Sequence, residues 1–263
     1  MTARSWQRWS GAIAAVVAVM AGLTLLAPHL SLPPMAAYVL GFAMVVASVL
    51  GVALVTPSEK GRRGLAPALP ALALLLLVHL SKTTGAPAAL AVAAALLAVG
   101  TALGAVVGAG IEHPGHLVFV VIVSSLADVF SVTQPEGPSA AIVNAPQALG
   151  LLAISWPMLG TDQLAPLLGV GDIVFTGLYL AAARAHGLPL GRTLIALALA
   201  FVATMVTVIV TELPVPALPF LGVAMLLAHP AARRPPQRDR AKAVAVVFAL
   251  SLLFVALLAR RFW

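Results

Sequence analysis

Two aspartates stand where acids are least expected in this chain. Of eight acidic residues, six fall in loops or at segment ends, but Asp128 (in SSLADVFSV) and Asp172 (in LLGVGDIVFTG) lie well inside apolar segments. A carboxylate inside a bilayer costs about 3 kcal/mol or more, so it normally faces a cavity or a partner and marks function. No Lys or Arg lies at similar depth to neutralise either one. Two carboxylates brought close cannot both ionise easily, so one tends to keep a proton. The ionised one can then take a proton from water, and the protonated one can polarise a carbonyl under attack. Such a pair titrates as a unit, which leaves the two roles unassigned to individual residues.

The neighbouring residues suit that chemistry. Ser124, Ser125 and Ser131 lie three or four positions from Asp128, on its face of a helix, and Thr176 is placed likewise beside Asp172. Other chemistries find less support. The chain has no cysteine, so thiol catalysis and Cys-based metal sites are excluded. Glu112-His113-Pro114-Gly115-His116 puts two histidines near an acid, but the spacing is not that of a zinc helix, and Pro and Gly point to an interfacial turn. There is no nucleophile elbow around a serine and no Gly-rich phosphate loop. We expect no cofactor and no metal.

The elements that carry these residues follow from composition. The sequence is 62% hydrophobic and only 9% charged, too few charges to build an aqueous surface. Apolar segments run at about 11–30, 35–56, 65–81, 87–111, 115–133, 165–185, 190–212, 214–229 and 241–260. A further stretch, 139–159, contains Asn144, Pro146, Gln147 and Pro157 and reads as an interfacial or re-entrant helix. The fold expected is an all-α polytopic membrane helix bundle of about nine transmembrane helices. Arg4 and Arg8 before the first apolar run resemble a signal peptide, but the run is long and no small-residue cleavage site follows, so we read a retained helix. Trp6, Trp9 and Trp263 read as interface anchors.

The net charge of +7 does not point to nucleic acid, because the basic residues sit in short clusters between apolar runs. With a cytoplasmic N-terminus, twelve of the fifteen basic residues fall inside: Arg4, Arg8, Lys60, Arg62, Arg63, Arg184, Arg192 and the cluster from Arg233 to Lys242. Only Lys82, Arg260 and Arg261 fall outside, and the loop 134–164 is expected on the outer face. Counting helical rise, Asp128 and Asp172 would lie roughly 8 and 10 Å below the outer boundary, on helices running in opposite directions.

Three motifs carry a family resemblance. Gly169-Val170-Gly171-Asp172 matches the GxGD motif of the presenilin and signal peptide peptidase family, and Ile173-Val174-Phe175 continues it in the presenilin manner. Pro216-Ala217-Leu218-Pro219 matches the family's PAL signature in its presenilin form. Asp128, Val132, Pro135, Gly137 and Pro138 keep the spacing found after the first catalytic aspartate of presenilins. The similarity covers roughly residues 115–230. Two departures stand out: Ala127 occupies the position where the family has Tyr, and four spans rather than five precede Asp128.

The resemblance implies an intramembrane aspartyl endopeptidase with Asp128 and Asp172 catalytic, and with Gly169, Gly171 and Pro216-Ala217-Leu218-Pro219 shaping the substrate site. Its partners would be membrane lipid and transmembrane peptide or protein substrates. It divides the chain into an N-terminal four-helix portion (1–114), a catalytic portion (115–230), and a basic loop with an added C-terminal helix (231–263). A non-proteolytic reading stays open, since paired acids in a polar cavity also suit proton-coupled transport or a catalytically inactive relative. Substrate and oligomeric state are not encoded in any motif.

Overall fold

The computed structural model describes residues 3–59, 61–134, 137–241, 244–245, 247–249 and 252. Lys60, Pro135, Glu136, Lys242, Arg260, Arg261, Trp263 and most of the expected helix at 241–260 lie outside the described residues. In order, the helices are α1 (Ala3–Leu26), α2 (Pro34–Val55), α3 (Arg62–Leu65), α4 (Ala68–Ser81), α5 (Gly85–Gly110), α6 (Leu117–Thr133), α7 (Pro138–Val143), α8 (Pro146–Leu152), α9 (Val170–Ala185), α10 (Leu190–Thr211) and α11 (Leu218–Ala228). Two strands, β1 (Ala153–Pro157) and β2 (Leu164–Gly169), separate α8 from α9.

Five helices are long and apolar enough to cross a membrane, over Arg4–His29, Pro34–Val55, Gly85–Gly110, Pro114–Thr133 and Leu190–Thr211. Ala68–Ser81 and Leu218–Ala228 are shorter apolar helices. The protein is a mostly helical, membrane-embedded bundle. Helices suit this setting because they satisfy their backbone polar groups internally, where no water is available.

Punctuation residues set the boundaries. Pro34 starts α2, where its missing N–H has no helical partner to lose. The left-handed C-caps Lys82 and Glu212 close α4 and α10. The expected 65–81 segment divides at Ala66-Pro67 into α3 and α4, and the expected 214–229 segment yields a helix only from Leu218. Pro214 and Pro216 cannot donate to a preceding turn, which delays the start of α11.

By packing, the chain forms two compact units. One comprises Met1–Gly110 with Ile142–Ala185, the other Ile111–Ala141 with His186–Trp263. In the first unit α5 and α9 are the most closely packed pair. Their seam is made of glycine: a Cβ on Gly104 would lie 2.8 Å from Leu178 N and closer still to Val174 O, and one on Gly108 would strike Leu178 O. Gly100 faces Ile173, and from the other side Gly177 lies against Thr101. Gly100, Gly104 and Gly108 thus form a GxxxGxxxG stripe that lets two backbones meet. Trp9 is buried, and its indole N–H donates to Thr101 Oγ1 at 3.1 Å. It packs α1 onto α5, a correction to its expected role as an interface anchor.

The expected re-entrant helix at 139–159 is also corrected. It comprises the short helices α7 and α8 followed by β1, which pairs antiparallel with β2 from Ala153↔Gly169 to Pro157↔Leu164. The ribbon tip is tied to the end of α1, where Gly160 N–H donates to Ala27 O at 2.8 Å. Ala27, Ala37 and Leu159 form a small apolar cluster there. In the second unit α11 packs against both α6 and α10, with Leu221 and Met225 fully buried. A Cβ on Gly222 would lie 2.6 Å from Val121 Cγ1, so α11 also meets α6 at a glycine.

Candidate functional site

The predicted site residues fall into two groups, one in each unit. Asp128 lies on α6, five residues before its end at Thr133, as the sequence led us to expect. Its Oδ2 accepts a hydrogen bond from the Leu218 N–H at 2.9 Å. The Ala217 amide also lies close enough to interact with it. The Pro216-Ala217-Leu218-Pro219 tetrapeptide and the first aspartate, ninety positions apart in the chain, therefore form one structural feature.

The tetrapeptide's composition has a physical explanation here. Ala217 is the N-cap of α11, Leu218 its first residue and Pro219 its second. The first N–H groups of a helix have no partner within it and need an acceptor from outside. The two prolines carry no N–H, so Ala217 and Leu218 are the only donors in the tetrapeptide. Asp128 acts as a cap supplied from another helix, and its carboxylate meets the positive end of the α11 dipole. Gly222 holds α11 against Val121, nearly two turns before Asp128 on α6, which keeps the two motifs together.

Two of the serines near Asp128, Ser124 and Ser131, are engaged elsewhere. Ser124 Oγ donates to Val121 O at 3.2 Å. Ser131 Oγ shares a 2.7 Å hydrogen bond with Ser139 Oγ and accepts from Ser139 N–H at 2.9 Å, which caps the start of α7. Gly137 is required at that turn, since a Cβ there would strike Ser131 O. Ala127 is exposed, next to the carboxylate-bearing residue.

Asp172 is differently placed from expectation. The sequence predicts a place about seven residues into a helix starting near residue 165. Instead α9 begins at Val170, and Leu164–Gly169 is extended β2, so Asp172 is in the first helical turn. Only two helical residues precede Asp172, so the depth of about 10 Å expected from helical rise does not apply to it. The carboxylate folds back towards the strand: a Cβ on Gly169 would lie 3.7 Å from Asp172 Oδ2. A methyl at position 169 would sit in ordinary contact with that oxygen. Gly171 meets nothing within 4 Å, so the close helix approach expected of Gly169 and Gly171 is made instead by Gly177. Thr176 Oγ1 donates to the Asp172 main-chain carbonyl at 2.7 Å and not to its side chain.

Sequence reasoning missed the ribbon that leads into Gly169 and the stripe that seats α9. Both left a trace: Pro157, Gly160, Thr161-Asp162 and Pro166 punctuate a hairpin, and GxxxGxxxG is legible at 100–108. The histidines of the 112–116 stretch form the expected turn. His113 Nδ1 accepts from Gly115 N–H at 3.0 Å, and His116 Nε2 pairs with Asp239 at 3.2 Å. Among the described residues no group of three or more His, Cys, Asp or Glu is placed to hold a metal. No protein-family model, curated protein or solved structure matches this chain.

Proposed function

We propose that the protein is an intramembrane aspartyl endopeptidase that hydrolyses peptide bonds within transmembrane segments or signal peptides, with Asp128 and Asp172 as the catalytic pair. The observation that carries the reading is the Asp128–Leu218 hydrogen bond. Two motifs that resemble the family independently of each other meet at one carboxylate, and the third motif sets the other carboxylate in the first turn of α9.

The reading assigns each part a task. One of Asp128 and Asp172 acts as base towards the attacking water, and the other as acid towards the scissile carbonyl. A substrate helix hides its peptide bonds in its own hydrogen bonds, so it must unwind locally. An unwound strand needs backbone partners. Backbone near Pro216-Ala217-Leu218-Pro219 supplies them by strand addition. The nine-span count and the outward-facing loop 134–164 belong to the same proposal.

An aspartyl-protease transition-state analogue with a hydroxyl in place of the scissile carbonyl tests it. The purified protein should bind the analogue, and Asp128→Ala and Asp172→Ala should each abolish binding. No binding by the unaltered chain, or binding that survives both changes, favours the transporter or inactive-relative reading instead.

A further inference from the structure

A second site lies in the first unit, apart from both aspartates. The start of α1, the ends of α2, α5 and α9, and the residues just after α2 border an open cavity of about 760 Å³. Arg4, Arg8 and Arg184 line it with Thr56 and Ser58, and no Asp or Glu does. The three arginines come from two helices that are far apart in sequence, and none is in an ion pair among the described residues. Concentrating like charge around one space is unfavourable unless an anion occupies it.

Arg184 is held as a ligand-binding arginine is held. Its Nε–H donates to Ser58 Oγ at 3.0 Å, and Nη1 donates to Leu54 O at 2.6 Å and Ala53 O at 3.3 Å. These bonds fix the plane of the guanidinium against the end of α2. Nη2 is buried and has no hydrogen-bond partner among the described residues. A buried donor without an acceptor calls for an explanation, and a charged oxygen is the acceptor a guanidinium fork fits best. Arg4 and Arg8 are exposed, one turn apart on α1, and free to close over such a group.

We infer that this cavity binds a phosphate anion, either the headgroup phosphate of an anionic lipid or free inorganic phosphate. Arg184 recognises it through Nη2, and Arg4 and Arg8 neutralise its charge. The alternation of spans expected from the sequence puts all four helix ends on the cytoplasmic side, where anionic headgroups attract basic residues. The site does not depend on the peptidase reading.

The test uses the purified full chain in neutral detergent, titrated with phosphatidylglycerol, phosphatidylcholine, or sodium phosphate against sodium chloride at equal ionic strength. The readout is tryptophan fluorescence, to which Trp6 and Trp9, an edge-on pair 5.4 Å apart on α1, contribute. A saturable change with phosphatidylglycerol alone identifies a headgroup site, and one with inorganic phosphate as well identifies a free-anion site. Equal responses to phosphatidylglycerol and phosphatidylcholine, with none to phosphate, overturn the inference. Arg184→Lys keeps the charge but loses the fork, and should weaken binding about tenfold. The double variant Arg4→Gln with Arg8→Gln changes only exposed residues and should weaken it by a similar factor. Unchanged affinity in both variants also overturns it.

Discussion

Replacing Gly104 with alanine adds one methyl group at the seam that seats the Asp172 helix. That methyl would lie 2.8 Å from Leu178 N and 3.0 Å from Val174 C, and closer still to Val174 O. All three are backbone atoms, so no rotamer change relieves the overlap. Carbon contacts settle near 3.5–4.0 Å, so α9 must retreat from α5 by about 1 Å. Overpacking of this kind costs about 1–3 kcal/mol. A shift of about 1 Å in a catalytic group costs about a hundredfold in rate. Gly51→Ala is the control: it lies inside α2 with nothing within 4 Å of the new methyl, and alanine is the better helix former. Thermal unfolding in detergent and cleavage of a model transmembrane peptide are the assays. Gly104→Ala should unfold at lower temperature and cleave about ten- to a hundredfold more slowly, while Gly51→Ala should match the unaltered protein or exceed its stability. Equal stability and equal rate for the two variants would refute the claim that the glycine seam positions Asp172.

Asp128→Ala leaves the Leu218 amide without its acceptor and should destabilise by about 1–3 kcal/mol, whereas Asp128→Asn keeps an acceptor oxygen and should lose much less, as melting of the two variants will show. Both should be equally inactive. Outside the membrane, the Asp239 carboxyl is held below its usual value of 3.8, chiefly by its hydrogen bond with His116 and further by Arg238. A depressed carboxylate stabilises the fold above its unfolded value and loses that contribution as pH falls through its folded value, so Asp239→Asn should flatten the melting curve below about pH 4. A reporter fused within loop 134–164 should read as outside and one at Arg238 as inside; the reverse pattern would invert the bundle.

Much of the helical frame was legible because long apolar runs with prolines or charges at their ends permit few alternatives. Segments 35–56, 87–111, 115–133 and 190–212 match α2, α5, α6 and α10 within a few residues. The stretch 153–169 was not legible by the same rule. Leu164-Ala165-Pro166-Leu167-Leu168-Gly169 is as apolar as a helix, and periodicity over six residues does not separate a buried strand from a helical turn. Both aspartates stood out by composition, but their partners did not. Asp128 is met by main-chain amides, which no side-chain pattern announces, and the prolines that isolate those amides looked like helix breakers alone. Trp9 was misplaced because an indole at a chain end looks the same whether it meets lipid or, as here, a threonine hydroxyl.

The central claim is that Asp128 and Asp172 jointly hydrolyse a peptide bond. Incubating the purified protein with a labelled transmembrane peptide, and resolving the products by mass, tests it most directly. The account predicts cleavage within the apolar segment by the unaltered chain, and none by Asp128→Ala or by Asp172→Ala. Cleavage that persists in either variant, at the same bond and rate, would contradict it.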